Sequence, residues 1–142
     1  MPIRPALRWY YPIDWPELSR AIRFGRARGR CETCQRPHCT KVLCLPDGRW
    51  FDLDENHWRD GHGRQCPAPY GENLDHLRST RVILAAAHLD HDPSNNTPHN
   101  LKSLCQRCHM LHDKPHHLAQ RRITYRLRLA IGDLFTGPYL RL

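Results

Sequence analysis

Residues 87–113 read AHLDHDPSNNTPHNLKSLCQRCHMLHD, and the fold turns on how this stretch divides. The apolar run 80–89 opens with β-branched residues and predicts a strand. It ends in His88-Leu89-Asp90-His91. Residues 92–99, DPSNNTPH, have the composition of a turn or loop. Residues 100–104 predict a short second strand, and a short helix is expected from near Cys105 to about His112. Two strands leading into a helix, with ionisable side chains at the junctions, predict a small α+β fold.

Cys105-Gln106-Arg107-Cys108 in this stretch is a C-x-x-C pair, and Cys31-Glu32-Thr33-Cys34 is a second one far upstream. Two such pairs can supply four thiolates to one tetrahedral zinc at ~2.3 Å. Closing them ties the early chain to the helix after the strands, and a structural zinc contributes ~10 kcal/mol or more to folding. The chain needs such a crosslink. Only 39% of its 142 residues are hydrophobic, its mean hydropathy is −0.73, and it has 12 Pro and 8 Gly, so its core is thin. A thioredoxin-like redox reading would need a βαβ setting that the pattern lacks. Seven cysteines, an odd number, also suit complete disulfide pairing poorly. Cys39, Cys44 and Cys66 remain, with His38, His57 and His62 nearby; Cys39, Cys44, His57, His62 and Cys66 could in principle form a second zinc site, but the spacings match no metal pattern, and they read as free buried thiols and loop histidines.

Outward from these motifs the chain falls into three parts. Residues 1–30 read as an N-terminal arm and basic helix, 31–113 as the knuckle-bearing core with an insertion at about 39–78, and 114–142 as a C-terminal basic helix and tail. Residues 1–13 predict an extended arm that packs through Trp9, Tyr10 and Tyr11. Asp14 and Glu17 have capping-box spacing with Pro16 in the first turn, predicting a helix over 15–28 stopped by Gly29. Residues 41–45 and 49–53 flank Pro46-Asp47-Gly48, a hairpin signal, and 54–73 read as a long loop. Pro115 marks a break or a new start, with Asp113 as a candidate cap, before a final helix over 115–131 ended by Gly132.

Lys and Arg total 22 against 14 Asp and Glu, a net charge of +8 with a pI near 9.5. The arginines gather at 20–30 and at 121–128. Guanidinium groups suit bidentate contacts with phosphate, and two basic helices are the footprint of a nucleic-acid binder. Arg23, Arg26, Arg121 and Arg122 are the candidate phosphate contacts; the alternative is a pair of solvated helix faces. No apolar run approaches the ~18–20 residues of a membrane span. The opening MPIRPALRWYYP has no apolar segment of a secretory signal, so a cytoplasmic location is expected.

The acid and histidines that end the first strand, Asn100 ahead of the second, and Asn100-Leu101-Lys102-Ser103-Leu104-Cys105-Gln106-Arg107-Cys108-His109 resemble the HNH endonuclease family. The resemblance covers about 80–113, plus 31–34, where zinc-bearing members carry their first knuckle. It implies a ββα-metal (His-Me finger) core, a β-hairpin packed on a helix, with a four-cysteine zinc knuckle and flanking basic helices. It implies a metal-dependent enzyme that nicks or cuts double-stranded DNA, of a kind found in phages and bacteria. Asp90 and His109 would hold a catalytic divalent ion, Mg²⁺ or Mn²⁺; His91 would be the general base, and Asn100 would orient the base or fix the hairpin.

The residue types suit that chemistry. Phosphodiester hydrolysis needs an activated water and a stabiliser for charge on the phosphate and the leaving oxygen, and a neutral imidazole near pH 7 can take the proton. Period two in a strand puts His88 and Asp90 on one face and His91 on the other. A strand regular through 91 would make His88 the base beside Asp90; a chain that leaves sheet geometry near Pro93 favours His91. Asp113, four residues beyond His109, would share its face if the helix continues and could add a third ligand. The alternative function is a non-catalytic zinc-ribbon DNA-binding module, which would have no need of Asp90-His91 with His109. A zinc nucleobase deaminase would require a His-x-Glu ahead of Pro-Cys-x-x-Cys, which the sequence lacks.

Overall fold

The computed structural model describes residues 5–136, with backbone alone for 72–74 and 131–136. The chain divides into two compact units, Met1–Met110 and Leu111–Leu142. The expected terminal tail beyond residue 136 lies outside the described residues.

In the first unit, Pro5–Tyr10 form a 3-10 helical turn rather than an extended arm. Proline at the head of this segment presets a helical φ. Trp9 is 92% exposed and Tyr10 is also exposed, so of the three aromatics only Tyr11 packs, edge-on to Trp15 with ring centroids 4.9 Å apart. Helix α1 (Trp15–Arg20) starts around Pro16 as expected, but the capping box does not form. The Asp14 side chain makes no cap bond, and its backbone carbonyl instead accepts the Leu18 N–H at 3.0 Å. The helix then widens into a π-helical turn, Ala21–Arg26, where the Ala27 N–H reaches back to the Ile22 carbonyl at 3.0 Å. Ile22 is the one buried residue of that turn.

Among the described residues six strands follow, in two antiparallel sheets: β1 (Lys41–Cys44), β2 (Trp50–Asp52), β3 (His57–Arg59), β4 (Arg78–Arg81), β5 (Leu84–His88) and β6 (Leu101–Cys105). The first sheet has the order β3-β2-β1-β4, with Val42 opposite Thr80 and Phe51 opposite Trp58. The hairpin across Pro46-Asp47-Gly48 is the one the sequence signals. Strand β3, by contrast, stands inside the segment expected as loop. Three residues are too few to show alternation, and the Phe51–Trp58 ring pair at 5.5 Å stabilises the pairing.

The apolar run expected as one strand is two, β4 and β5, belonging to different sheets. The break at Val82-Ile83 is made by side chains. His38 Nδ1 accepts the Leu84 N–H at 3.0 Å, and Gln106 Oε1 accepts the Ile83 N–H at 3.0 Å while its Nε2 donates to the Arg81 carbonyl at 2.9 Å. Strand β5 then pairs with β6, Leu84 opposite Cys105 and His88 opposite Leu101.

Helix α2 (Gln106–Thr136) begins directly after β6 and runs through Pro115 and past Gly132. The expected break at Pro115 and stop at Gly132 are therefore absent, although an interior proline lacks the N–H for the preceding turn and costs about 3 kcal/mol. Asp113 is accordingly a helix residue and not a cap; its carboxylate lies 3.9 Å from His117 Nε2, one turn on. In the second unit the side chains from His117 to Ala130 are exposed. Among the described residues no helix is long and apolar enough to cross a membrane.

The core joins both sheets to the cysteines: Val42, Trp50, Val82, Leu84, Ala87 and Leu104 cluster with Cys31, Cys34, Cys105 and Cys108. The insertion at 39–78 is thereby bound to the knuckle. Trp50 is fully buried and its Nε1–H donates to the Cys34 carbonyl at 3.0 Å. Gly63, at φ +83, lies so close to Cys34 that a Cβ would press on its backbone carbonyl. Asp52 is buried between Arg59, at 2.7 Å, and Arg30, at 3.3 Å. Burial opposes its ionisation, but the Arg59 hydrogen bond and the Arg30 charge outweigh it and hold the carboxyl below its usual range. Trp50→Phe should lower stability by about 1–3 kcal/mol, because it leaves the buried Cys34 carbonyl without its donor. Thermal unfolding reads this directly, and an unchanged Tm would show that the sheet does not brace the knuckle.

Candidate metal centre and catalytic loop

Cys31 and Cys34 lie in the loop after α1, and Cys105 and Cys108 span the junction of β6 with α2. All four are buried, and their sulfurs lie within 4.8 Å of one another, with Cys34 and Cys105 at 3.5 Å. Four sulfurs around one tetrahedral zinc sit about 3.8 Å apart, so the cluster could hold such an ion. Hydrogen bonds among the thiols divide them. The Cys108 thiol brings Cys105 down to about 6, and Cys105 with Cys108 holds Cys31 below the thiol range. The same contacts push Cys34 and Cys108 up. A cation on four sulfurs replaces those protons.

The residues between the cysteines hold the two halves together. Glu32 accepts the Ser103 N–H at 2.6 Å, and its own N–H donates to the Ser103 carbonyl at 2.9 Å. Arg107 donates to the Asp47 carbonyl at 3.3 Å, and its guanidinium occupies the space that a side chain at Gly48 would need. Cys39, Cys44, His57, His62 and Cys66 form no compact group of three ligands among the described residues. Cys39 is exposed and Cys44 and Cys66 are half-buried, so these thiols are not the buried ones expected, and His57 stands in β3 opposite Asp52 and not in a loop.

At the other end of the β5–β6 pair lies the loop that carries Asp90, His91 and Asn100. The strand ends at His88. Leu89-Asp90 turn, and His91 adopts a left-handed φ of 61°. The chain thus leaves sheet geometry earlier than expected, and strand alternation does not govern where 90 and 91 point. A left-handed backbone costs a non-glycine residue ~1–2 kcal/mol, so the surrounding bonds must hold it. Asn100 supplies them. Its Oδ1 accepts the Asp90 N–H at 3.1 Å, its Nδ2 donates to Asp90 Oδ1 and to the Asn95 carbonyl, both at 2.8 Å, and its carbonyl accepts the Leu89 N–H at 2.8 Å. The Asp92 N–H and the amides of Asn100 and Asn95 pull the Asp90 carboxyl down to about 2, so it is an exposed anion at neutral pH.

His88 is held differently. Its ring stacks on Trp15 at 5.1 Å and 14°, meets Tyr11 edge-on at 5.7 Å, and its Nε2 is 3.0 Å from Asn96 Oδ1. It contacts the loop through Asn96 and not Asp90. His109 is half-buried on the first turn of α2. Asn95 and Asn96 escaped the sequence reading, which passed over 92–99 as loop. The Asp-x-Asp-x-Ser pattern from Asp90 to Ser94 was their signal, since each Asp side chain accepts the N–H two residues on.

The candidate phosphate contacts differ in their surroundings. Arg26 donates to both Glu32 oxygens, at 3.0 and 2.8 Å, to the Pro98 carbonyl at 2.8 Å and to the Leu101 carbonyl. Arg23 donates to the carbonyls of Ser19, at 3.2 Å, and Leu84, at 3.5 Å, and lies over the Phe24 ring. Both therefore brace the N-terminal helical segment against the β5–β6 pair. In the second unit Arg121 and Arg122 are exposed beside Leu118 and Tyr125. A scan against protein-family models matches none, and no curated protein or solved structure is significantly similar to the chain.

Proposed function

We propose that the protein is a metal-dependent endonuclease of the HNH type that hydrolyses phosphodiester bonds of double-stranded DNA. In this reading β5, β6 and the start of α2 form a ββα-metal core, and the four cysteines hold a structural zinc. The observation that carries it is the lock between Asp90 and Asn100: an asparagine just ahead of the second strand fixes an acid just beyond the first. A zinc ribbon that only binds DNA has no need of it.

His91 is the general base that accepts the proton of the attacking water. Asp90 and His109 are the ligands for Mg²⁺ or Mn²⁺, and the exposed anionic Asp90 suits such an oxygen-seeking ion. That ion, when bound, offsets charge on the phosphate and the leaving 3′-oxygen. Asn100 keeps Asp90 and the turn into His91 in place, and His88 braces the loop from the other side through Asn96. Arg121 and Arg122 contact the DNA backbone, so binding weakens steeply with salt. The corresponding setting is the cytoplasm of a bacterial or phage-infected cell.

Supercoiled plasmid incubated with the zinc-loaded protein and Mg²⁺ or Mn²⁺ should become nicked or linear, and EDTA should stop the reaction. DNA binding without cleavage under any divalent ion would overturn the proposal in favour of a binding module.

A further inference from the structure

A groove of about 460 Å³ lies where the N-terminal helical segment gives way to the first knuckle, lined by Arg26, Arg28, Arg30, Glu32 and Gln35 with Cys31. Its charges are not equivalent. Arg26 is paired with Glu32 at 2.8 Å, and Arg30 with Asp52 and Asp54 at 3.3 and 2.7 Å. Arg28 makes no side-chain hydrogen bond, ion pair or ring contact among the described residues, and its side chain is exposed. Its backbone is also unusual, with a left-handed φ of 50° next to Gly29 at 72°. The turn is fastened on both sides, by the Gly29 N–H to the Arg23 carbonyl at 2.8 Å and the Arg30 N–H to the Ala27 carbonyl at 2.9 Å. Position 28 is thus where a glycine would sit without strain, and a long cation occupies it.

We infer that the Arg28 groove is a phosphate-binding site that takes one phosphodiester of a nucleic-acid backbone, with Arg28 as its donor. A guanidinium offers paired N–H groups matched to phosphate oxygens, and the flanking Arg26 and Arg30 are held in place by their own carboxylates. This rests on the reading of the protein as one that acts on DNA and adds a contact on the first unit, apart from Arg121 and Arg122.

The test uses the full zinc-loaded chain and a DNA duplex, with binding measured across a salt series, without Mg²⁺ or Mn²⁺. Arg28→Gly removes the cation and relieves the left-handed backbone. It should raise the Tm while weakening binding roughly eightfold at about 0.1 M salt, and it should reduce the slope of log affinity against log salt by about 0.9. Arg28→Lys should retain most of the slope. An unchanged slope in Arg28→Gly, or no DNA binding by the parent chain, overturns the inference. So does millimolar inorganic phosphate that binds the parent chain but not Arg28→Gly and leaves DNA affinity unchanged at constant ionic strength, since that marks a small-anion site. Absence of cleavage by the parent chain with Mg²⁺ or Mn²⁺ added, with the slope change in Arg28→Gly intact, would sink the endonuclease reading and leave the Arg28 contact standing.

Discussion

Cys34→Ser is expected to release the metal and unfold the first unit at ambient temperature. A four-sulfur zinc site contributes ~10 kcal/mol or more to folding, as much as the whole stability of an ordinary domain, about 5–15 kcal/mol. The rest of the unit is poorly equipped to replace it. The buried apolar core is small and clusters around the four cysteines, with Val42, Trp50, Val82, Leu84, Ala87 and Leu104 all part of that group. The hydroxyl of serine is a poor zinc ligand, and it would sit among three further thiols beside the Cys34 carbonyl on which Trp50 depends. Circular dichroism during heating, with zinc content by mass spectrometry, measures both effects. A melting curve that matches the parent chain would rule out a structural metal at these cysteines.

His91→Ala is expected to lower DNA turnover by about 10²–10⁴-fold, the usual range for loss of a general base. The melting temperature should move little and the DNA affinity should hold. Because His91 sits at φ 61°, alanine carries a small backbone cost there. His91→Asn is the cleaner variant, since asparagine tolerates the left-handed region and its amide cannot act as a base. His88→Ala should produce a smaller loss of turnover together with a lower Tm, because it removes the ring between Trp15 and Asn96. Full activity in both His91 variants, with turnover abolished in His88→Ala, would move the base to His88.

The sequence speaks most clearly where chemistry constrains spacing. Two C-x-x-C pairs announce a shared cluster that could hold one ion although Cys34 and Cys105 are 71 residues apart, because ligand geometry is set locally within each pair. The β5–β6 pair and the helix start were legible from an apolar run, a polar loop and a second short run. The split of the run at Val82-Ile83 was not, because it depends on His38 and Gln106 side chains that replace ladder partners from distant positions. Strand β3 was hidden by its length, and the insertion's attachment to the knuckle rests on bonds between distant positions, from Trp50 to Cys34 and from Arg107 to Asp47, that no pattern encodes. Pro115 misled for the opposite reason: a strong local signal was overridden by the helix around it. In the candidate site, Asp90 and Asn100 were named from the family resemblance, and their mutual hydrogen bonds are a property of the fold. Because β5 ends at His88, strand alternation does not decide between His88 and His91 as base.

A metal ion held by Cys31, Cys34, Cys105 and Cys108 would join distant parts of the first unit and is central to the proposed function. Zinc K-edge absorption on the purified protein tests this directly. Four sulfur neighbours at about 2.3 Å with one zinc per chain are predicted. Nitrogen or oxygen in the inner shell, or a folded and active protein with no zinc, would contradict it.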